Sequence, residues 1–291
     1  MTTVNHKCGT VAIIGEPNAG KSSLINALVG DTVAITAAMA GTTRQAIRGI
    51  LNTNNAQIIF VDTPGMQPAT NLLERQMNRA ISGAVKSADV ICFVIDVTNV
   101  NSRALSKLAN YQDFGVPVIL ALTKIDRAQP AKILTALQRL QEFTFVKDFV
   151  PVSALKRQGL SDLVTCLEKY LPIGQPIFDR DVYTDSTERA MATEIIRSAV
   201  INRTADEVPA GVKVVITEFN AVDRSIKIAA DIICDKVNHK KIIVGAQGKM
   251  IRQIGIDARR ELEKLLGRHV VLSTFVIVRE GWRDQVNWLR D

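Results

Sequence analysis

Residues 15–22 read Gly15-Glu16-Pro17-Asn18-Ala19-Gly20-Lys21-Ser22. They fit GxxxxGK[ST], a pattern that strongly restricts the local fold. An apolar stretch at 10–14 precedes it, and Leu24, Ile25 and Leu28 follow at helical spacing. The pattern therefore predicts strand, loop and a helix over 21–29. In that setting the loop's backbone N–H groups turn inward around phosphate oxygens at a helix N-terminus. Lys21 supplies a point charge to the β- and γ-phosphates, and Ser22 offers a hydroxyl to Mg²⁺. Apolar runs at 57–61, 90–97 and 116–122 alternate with helical spacing near 71–87, 101–113 and 130–142. Such nearly continuous runs suit strands buried on both faces of a parallel sheet. The first part is thus expected to be a doubly wound α/β domain.

The rhythm changes after Leu171-Pro172-Ile173-Gly174-Gln175-Pro176, where two prolines and a glycine end a helical stretch. We place the first domain at 1–172, a linker at 173–180 and a second domain at 181–291. The second part predicts a helix at 186–203, strands at 212–219 and 225–234, helical segments at 239–245 and 249–266, and a strand at 269–278. That order, α-β-β-α-α-β, describes a smaller α+β domain. With 291 residues, 47% of them apolar, the chain can bury two cores. Its four cysteines are scattered without a CxxC pair, which argues against a zinc site or disulfide framework. The first ten residues hold no apolar leader, and the longest apolar run, 90–95, is far too short to span a membrane. A cytoplasmic monomer is the expectation.

Two further motifs follow predicted strand ends. Asp62-Thr63-Pro64-Gly65 closes the 57–61 run. A carboxylate there is costly without a partner, and a hydrated Mg²⁺ is the natural one. Gly65 can present its N–H to the γ-phosphate, so the loop would sense that phosphate. Thr123-Lys124-Ile125-Asp126 closes the 116–122 run. The Asp126 carboxylate can accept from the guanine N1–H and exocyclic amine, a donor pair that adenine lacks. The stem of Lys124 can cover the base. Ser153 and Ala154 follow another apolar run and can give a backbone N–H to the guanine oxygen.

Together these motifs resemble the translation-factor-like GTPases, which bind GTP or GDP with Mg²⁺. The resemblance puts a further switch element at Thr42-Thr43-Arg44, where one of the two threonines, Thr43 in preference to Thr42, would ligate Mg²⁺ in the GTP state. Two positions depart from the family pattern. Thr123 stands where asparagine is usual, yet it keeps a hydroxyl to brace the P-loop. Met66 stands where Ras-like enzymes carry a water-orienting glutamine, so slow intrinsic hydrolysis is expected. Catalytic roles fall to Lys21, Asn18, Thr43 and Gly65. Asn18 has two open readings: a turn former, or a potassium ligand like the P-loop asparagines of potassium-activated GTPases.

In the second part, Gly245-Ala246-Gln247-Gly248 is a GxxG turn between helical segments. From Lys236 to Arg268 there are nine Lys/Arg and three acids. Lys240, Lys241, Lys249 and Arg252 bracket the turn, and Arg259 follows, while Ile254, Ala258, Leu262 and Leu265 form an apolar stripe. This basic face is local. Residues 173–291 hold 19 basic and 17 acidic side chains, against 17 and 12 in residues 1–172. The arrangement resembles a type II KH domain, which clamps about four single-stranded nucleotides at its GxxG.

A P-loop GTPase domain with an appended type II KH domain resembles the Era GTPase family over nearly the whole chain. Further matches are Tyr183-Thr184-Asp185-Ser186-Thr187-Glu188-Arg189, Thr193-Glu194-Ile195-Ile196-Arg197, Ile254-Gly255-Ile256-Asp257-Ala258-Arg259 and Glu280-Gly281-Trp282-Arg283. Residues 36–41 are more similar to a related tRNA-modification GTPase. The family resemblance implies binding to the 3′ end of 16S rRNA, a role in small ribosomal subunit assembly, and peripheral contact with the inner membrane.

Overall fold

The computed structural model describes residues 6–30, 47–66, 68–204, 208, 212–222 and 224–286. They form two compact units: the first holds the described residues up to Pro68 and those from Met77 to Asp185, and the second holds Ala69–Gln76 and the described residues from Ser186 onward. In the first, β1 (Lys7–Gly15) leads through the P-loop into α1 (Lys21–Val29). Then come β2 (Ile47–Asn52), β3 (Ala56–Asp62) and α2 (Leu72–Lys86), and after them β4 (Val90–Asp96) and α3 (Ser102–Ala109). The unit continues with β5 (Val118–Thr123), α4 (Pro130–Leu140), β6 (Val146–Pro151) and α5 (Leu160–Tyr170).

The six strands lie in the order β2-β3-β1-β4-β5-β6, all parallel except for the β2–β3 pair. Alternate residues feed two cores. Val11 and Ile13 face one with Ile58, Phe60 and Cys92, while Ala12 and Ile14 face the other with Ile91 and Phe93. This two-sided burial explains why the runs read as continuously apolar. The order reverses beside β1, and ligands bind beyond strand carboxyl ends at such a switch point. Register sets the functional positions there: Ile13 lies opposite Asp62, Gly15 opposite Val94, and Asp96 opposite Thr123.

Residues 47 and 48, shortly after Thr42-Thr43-Arg44, belong to the edge strand β2. Beside that edge runs the stretch read as a linker. Gln57 is fully buried; its Oε1 accepts from the Ile177 and Phe178 amides at 2.7 and 3.0 Å, and its Nε2 donates to Phe178 O at 2.8 Å. The Ile50 amide donates to Tyr183 O at 2.9 Å, and Thr184 Oγ1 donates to Arg48 O at 2.8 Å. Buried polar groups need such partners, so residues 177–184 are fastened to the first unit.

The second unit comprises α6 (Glu188–Thr204), β7 (Val212–Val222), β8 (Ser225–Cys234), α7 (Val237–Val244), α8 (Lys249–Leu266) and β9 (His269–Val278). The α-β-β-α-α-β order is as expected. β7 pairs antiparallel with β8, and β9 pairs parallel with β8. The buried face of α8 is Ile254, Ala258 and Leu262; Leu265 is only half-buried, and Leu266 packs against the core instead.

Candidate functional site

The P-loop wraps an amine and a hydroxyl at the carboxyl ends of β1 and β3. Lys21 is buried, and its Nζ donates to Gly15 O at 3.3 Å and Glu16 O at 2.9 Å. Burial pushes this amine down to about 8; Asp62 opposes that shift and Lys107 adds to it. A charge so placed gains strongly from an arriving phosphate. Ser22 Oγ donates to Asp62 Oδ2 at 2.7 Å, both residues being buried. A hydroxyl and a carboxylate so close form a hard oxygen donor pair. Mg²⁺ takes such ligands, usually one or two from protein, with waters and phosphates completing its shell. The residues present fit the ion. Thr63 Oγ1 pins the next turn to Ile13 O at 2.8 Å. Gly65 runs against Pro17 so closely that a Cβ would lie 2.7 Å from the ring, hence a residue without a side chain.

The third motif braces this loop. Thr123 Oγ1 donates to Ala19 O at 2.5 Å, with Ile95 O a second acceptor at 3.2 Å. The hydroxyl retained at this position thus reaches the P-loop. Lys124 stands at φ 60°, and its Nζ meets Asn18 O at 2.6 Å and the Asp96 carboxylate at 2.7 Å. Burial pushes the Asp96 carboxyl up, but its bonds from Lys124 and Thr98 outweigh that and hold it below the usual range. Sequence reasoning missed Asp96, although it ends a buried strand as Asp62 does. Asp126 is exposed, and Ser153 Oγ donates to its Oδ1 at 2.5 Å. That bond orients the carboxylate. Of the two residues read as backbone donors to guanine, Ser153 already donates its N–H to Gln158 O at 3.0 Å. The Ser153 amide is thus already engaged.

Asn18 adopts φ 62° with an exposed side chain, a conformation asparagine tolerates. Thr42, Thr43 and Arg44 lie outside the described residues. Thr123→Val is expected to cost about 1–2 kcal/mol of stability and to weaken nucleotide binding, since the Ala19 carbonyl loses its donor. Denaturant melts of the two proteins check this.

In the second unit, Gly245 has φ 69°, and a Cβ there would meet Met250 Cβ at 2.6 Å. Gly248 stands at φ 73° and caps α8 without a side-chain bond. The first amides of α8 thus lack that partner at the turn, an arrangement that favours an anion. Ala246 and Gln247 are exposed, as are Lys240, Lys241, Lys249, Arg252 and Arg259. Each of the basic RNA-binding candidates is therefore solvent-facing, and Ser22 and Asp62 meet beside the P-loop.

A family model described as a 50S ribosome-binding GTPase matches residues 10–124, and a KH-domain model matches 207–283. GTPase Era of Lactobacillus delbrueckii is 36% identical over 289 residues, covering 99% of this chain and 96% of the relative. The chain belongs to the Era GTPase family. GTPase Era of Aquifex aeolicus is 40% identical, covering 98% of each protein. Two crystal structures superpose with TM-scores of 0.92. One is Era with MgGDPNP and nucleotides 1506–1542 of 16S ribosomal RNA, 39% identical and covering 98% of this chain and 97% of that one. The other is an Aquifex aeolicus Era variant bound to GDP and AlF4⁻, 38% identical over 97% of each chain. The chain is accordingly a GTPase, with a doubly wound P-loop domain followed by a type II KH domain. Among the described residues no helix is long and apolar enough to cross a membrane.

Proposed function

We propose that the chain is a GTP-driven switch whose KH domain holds single-stranded RNA at the 3′ end of 16S rRNA during small ribosomal subunit assembly. The observation that carries this reading is the set of exposed lysines and arginines around the GxxG turn, on a chain whose P-loop domain also carries an Asp126 carboxylate oriented by Ser153. Lys21 and the P-loop amides take the phosphates, Ser22, Asp62 and Thr43 hold Mg²⁺, and Gly65 senses the γ-phosphate. Asp126 selects guanine, and Lys124 covers the base. Asn18 takes a potassium ion beside the phosphates. The protein acts as a cytoplasmic monomer that touches the inner membrane peripherally. The relative crystallised with 16S rRNA and MgGDPNP supports both the RNA and the nucleotide state that favours it.

Crosslinking to total RNA with GTP analogue, with GDP and without nucleotide tests the partner. Recovery centred on the 3′ end of 16S rRNA is expected; recovery spread evenly over unrelated RNAs would sink the reading. Met66, whose side chain cannot align water, favours a second reading: an RNA anchor in which nucleotide is structural and turnover negligible. GTP turnover that rises when RNA is added rules that second reading out.

A further inference from the structure

The segment after Asp62-Thr63-Pro64-Gly65 is held by a side chain from outside the known motifs. Helix α3 starts at the cap Asn101, whose side chain accepts from the Ala104 amide at 2.8 Å. Its sixth residue, Lys107, reaches between two loops. Lys107 Nζ lies 3.1 Å from Glu16 Oε1, in the P-loop, and donates to Met66 O at 2.6 Å. The side chains of Lys107 and Glu16 are only 18% and 19% exposed. Charge-assisted bonds in such sheltered places are strong and well oriented.

Met66 is tied at three points. Its amide donates to Gly15 O at 3.2 Å, its carbonyl accepts from Lys107, and its Sδ accepts from Tyr111 Oη at 3.3 Å. Two of these anchors come from Lys107 in α3 and from Tyr111, two residues beyond its end. Hydrolysis of GTP depends on positioning water and phosphate, with little covalent chemistry for the protein to perform. Where the side chain carries no group to orient water, alignment falls to the backbone of the Gly65–Met66 peptide. Small displacements of positioning groups are costly.

We propose that Lys107 is a positioning residue for GTP hydrolysis: braced by Glu16, it fixes the Met66 carbonyl and, together with the Met66 amide held on Gly15 O, the Gly65–Met66 peptide beside the γ-phosphate. The Lys107–Glu16 pair makes the P-loop and the phosphate-sensing loop one rigid body through α3. Lys107→Met removes the charge and both bonds but keeps most of the stem that packs there.

The test is steady-state hydrolysis by full-length wild type, Lys107→Met, Lys107→Arg, Glu16→Gln and the Lys107→Met/Glu16→Gln double variant, with GDP affinity measured alongside. Lys107→Met is expected to lower kcat about tenfold, while KM for GTP and GDP affinity stay within about twofold. Lys107→Arg, which keeps charge and donors, restores most of the rate. Glu16→Gln gives a smaller loss that does not add to that of Lys107→Met, because the two act through one contact. An unchanged or increased kcat in Lys107→Met overturns the proposal. So does a fall in GDP affinity equal to the fall in kcat, which would mark a purely structural role. If Lys107→Met does not fold, Glu16→Gln decides by the same split between kcat and GDP affinity.

Discussion

Asp126→Asn is expected to weaken GTP and GDP binding by about 100- to 10,000-fold. Two hydrogen bonds from guanine to a carboxylate contribute about 1.5–3 kcal/mol each, and each 1.4 kcal/mol is a factor of ten. The substitution keeps the Ser153 bond, since an amide oxygen can accept from Ser153 Oγ as the carboxylate does at 2.5 Å. The amide nitrogen is then turned towards the base, where it meets the guanine donors. A xanthine nucleotide carries a carbonyl where guanine carries its amine, so the variant should bind xanthosine diphosphate more tightly than GDP. Fluorescence competition with GDP and xanthosine diphosphate checks both halves. Unchanged GDP affinity would remove Asp126 from the base site.

The second large effect is expected at the GxxG surface. Replacing Lys240, Lys241 and Lys249 together by alanine should lower single-stranded RNA affinity about 100-fold at moderate salt, because phosphate contacts dominate such binding. The slope of log affinity against log salt should flatten by about 2, or roughly 0.7 for each lost contact to a single strand. All three side chains are exposed, so stability should change by no more than about 0.5 kcal/mol per site. Filter binding across a salt series gives both quantities. A loss of affinity without change of slope would mean that these lysines do not meet phosphates.

Much of this was legible in the sequence, for identifiable reasons. The P-loop, the Asp62–Gly65 turn and the Thr123–Asp126 turn all follow strands buried on both faces, whose apolar runs stand out. The α-β-β-α-α-β order of the second unit could be read because β7, β8 and α8 have clear periods. The strand β2 was not read. It is a sheet edge containing Arg48, Gly49 and Asn52, and it pairs antiparallel with β3. Edge strands carry little apolar pattern. Gln57 gave no sign that it would fasten residues 177 and 178, since a lone glutamine in an apolar run has no local signature. Lys107 was hidden for a related reason: it lies 91 residues from Glu16 and 41 from Met66. Long-range pairs of that kind emerge only once the sheet order is known. Ser153 shows the opposite case, in which the motif was found but its amide was already engaged by Gln158.

The central claim is that nucleotide state controls RNA binding, and equilibrium affinity for a 16S rRNA 3′-end oligonucleotide tests it most directly. The measurement compares protein loaded with GTP analogue, loaded with GDP, and free of nucleotide. Binding at least about tenfold tighter with the analogue than with GDP is predicted, and by linkage the RNA must then raise the preference for the analogue over GDP by the same factor. Equal RNA affinity in the GTP-analogue and GDP states would contradict the account.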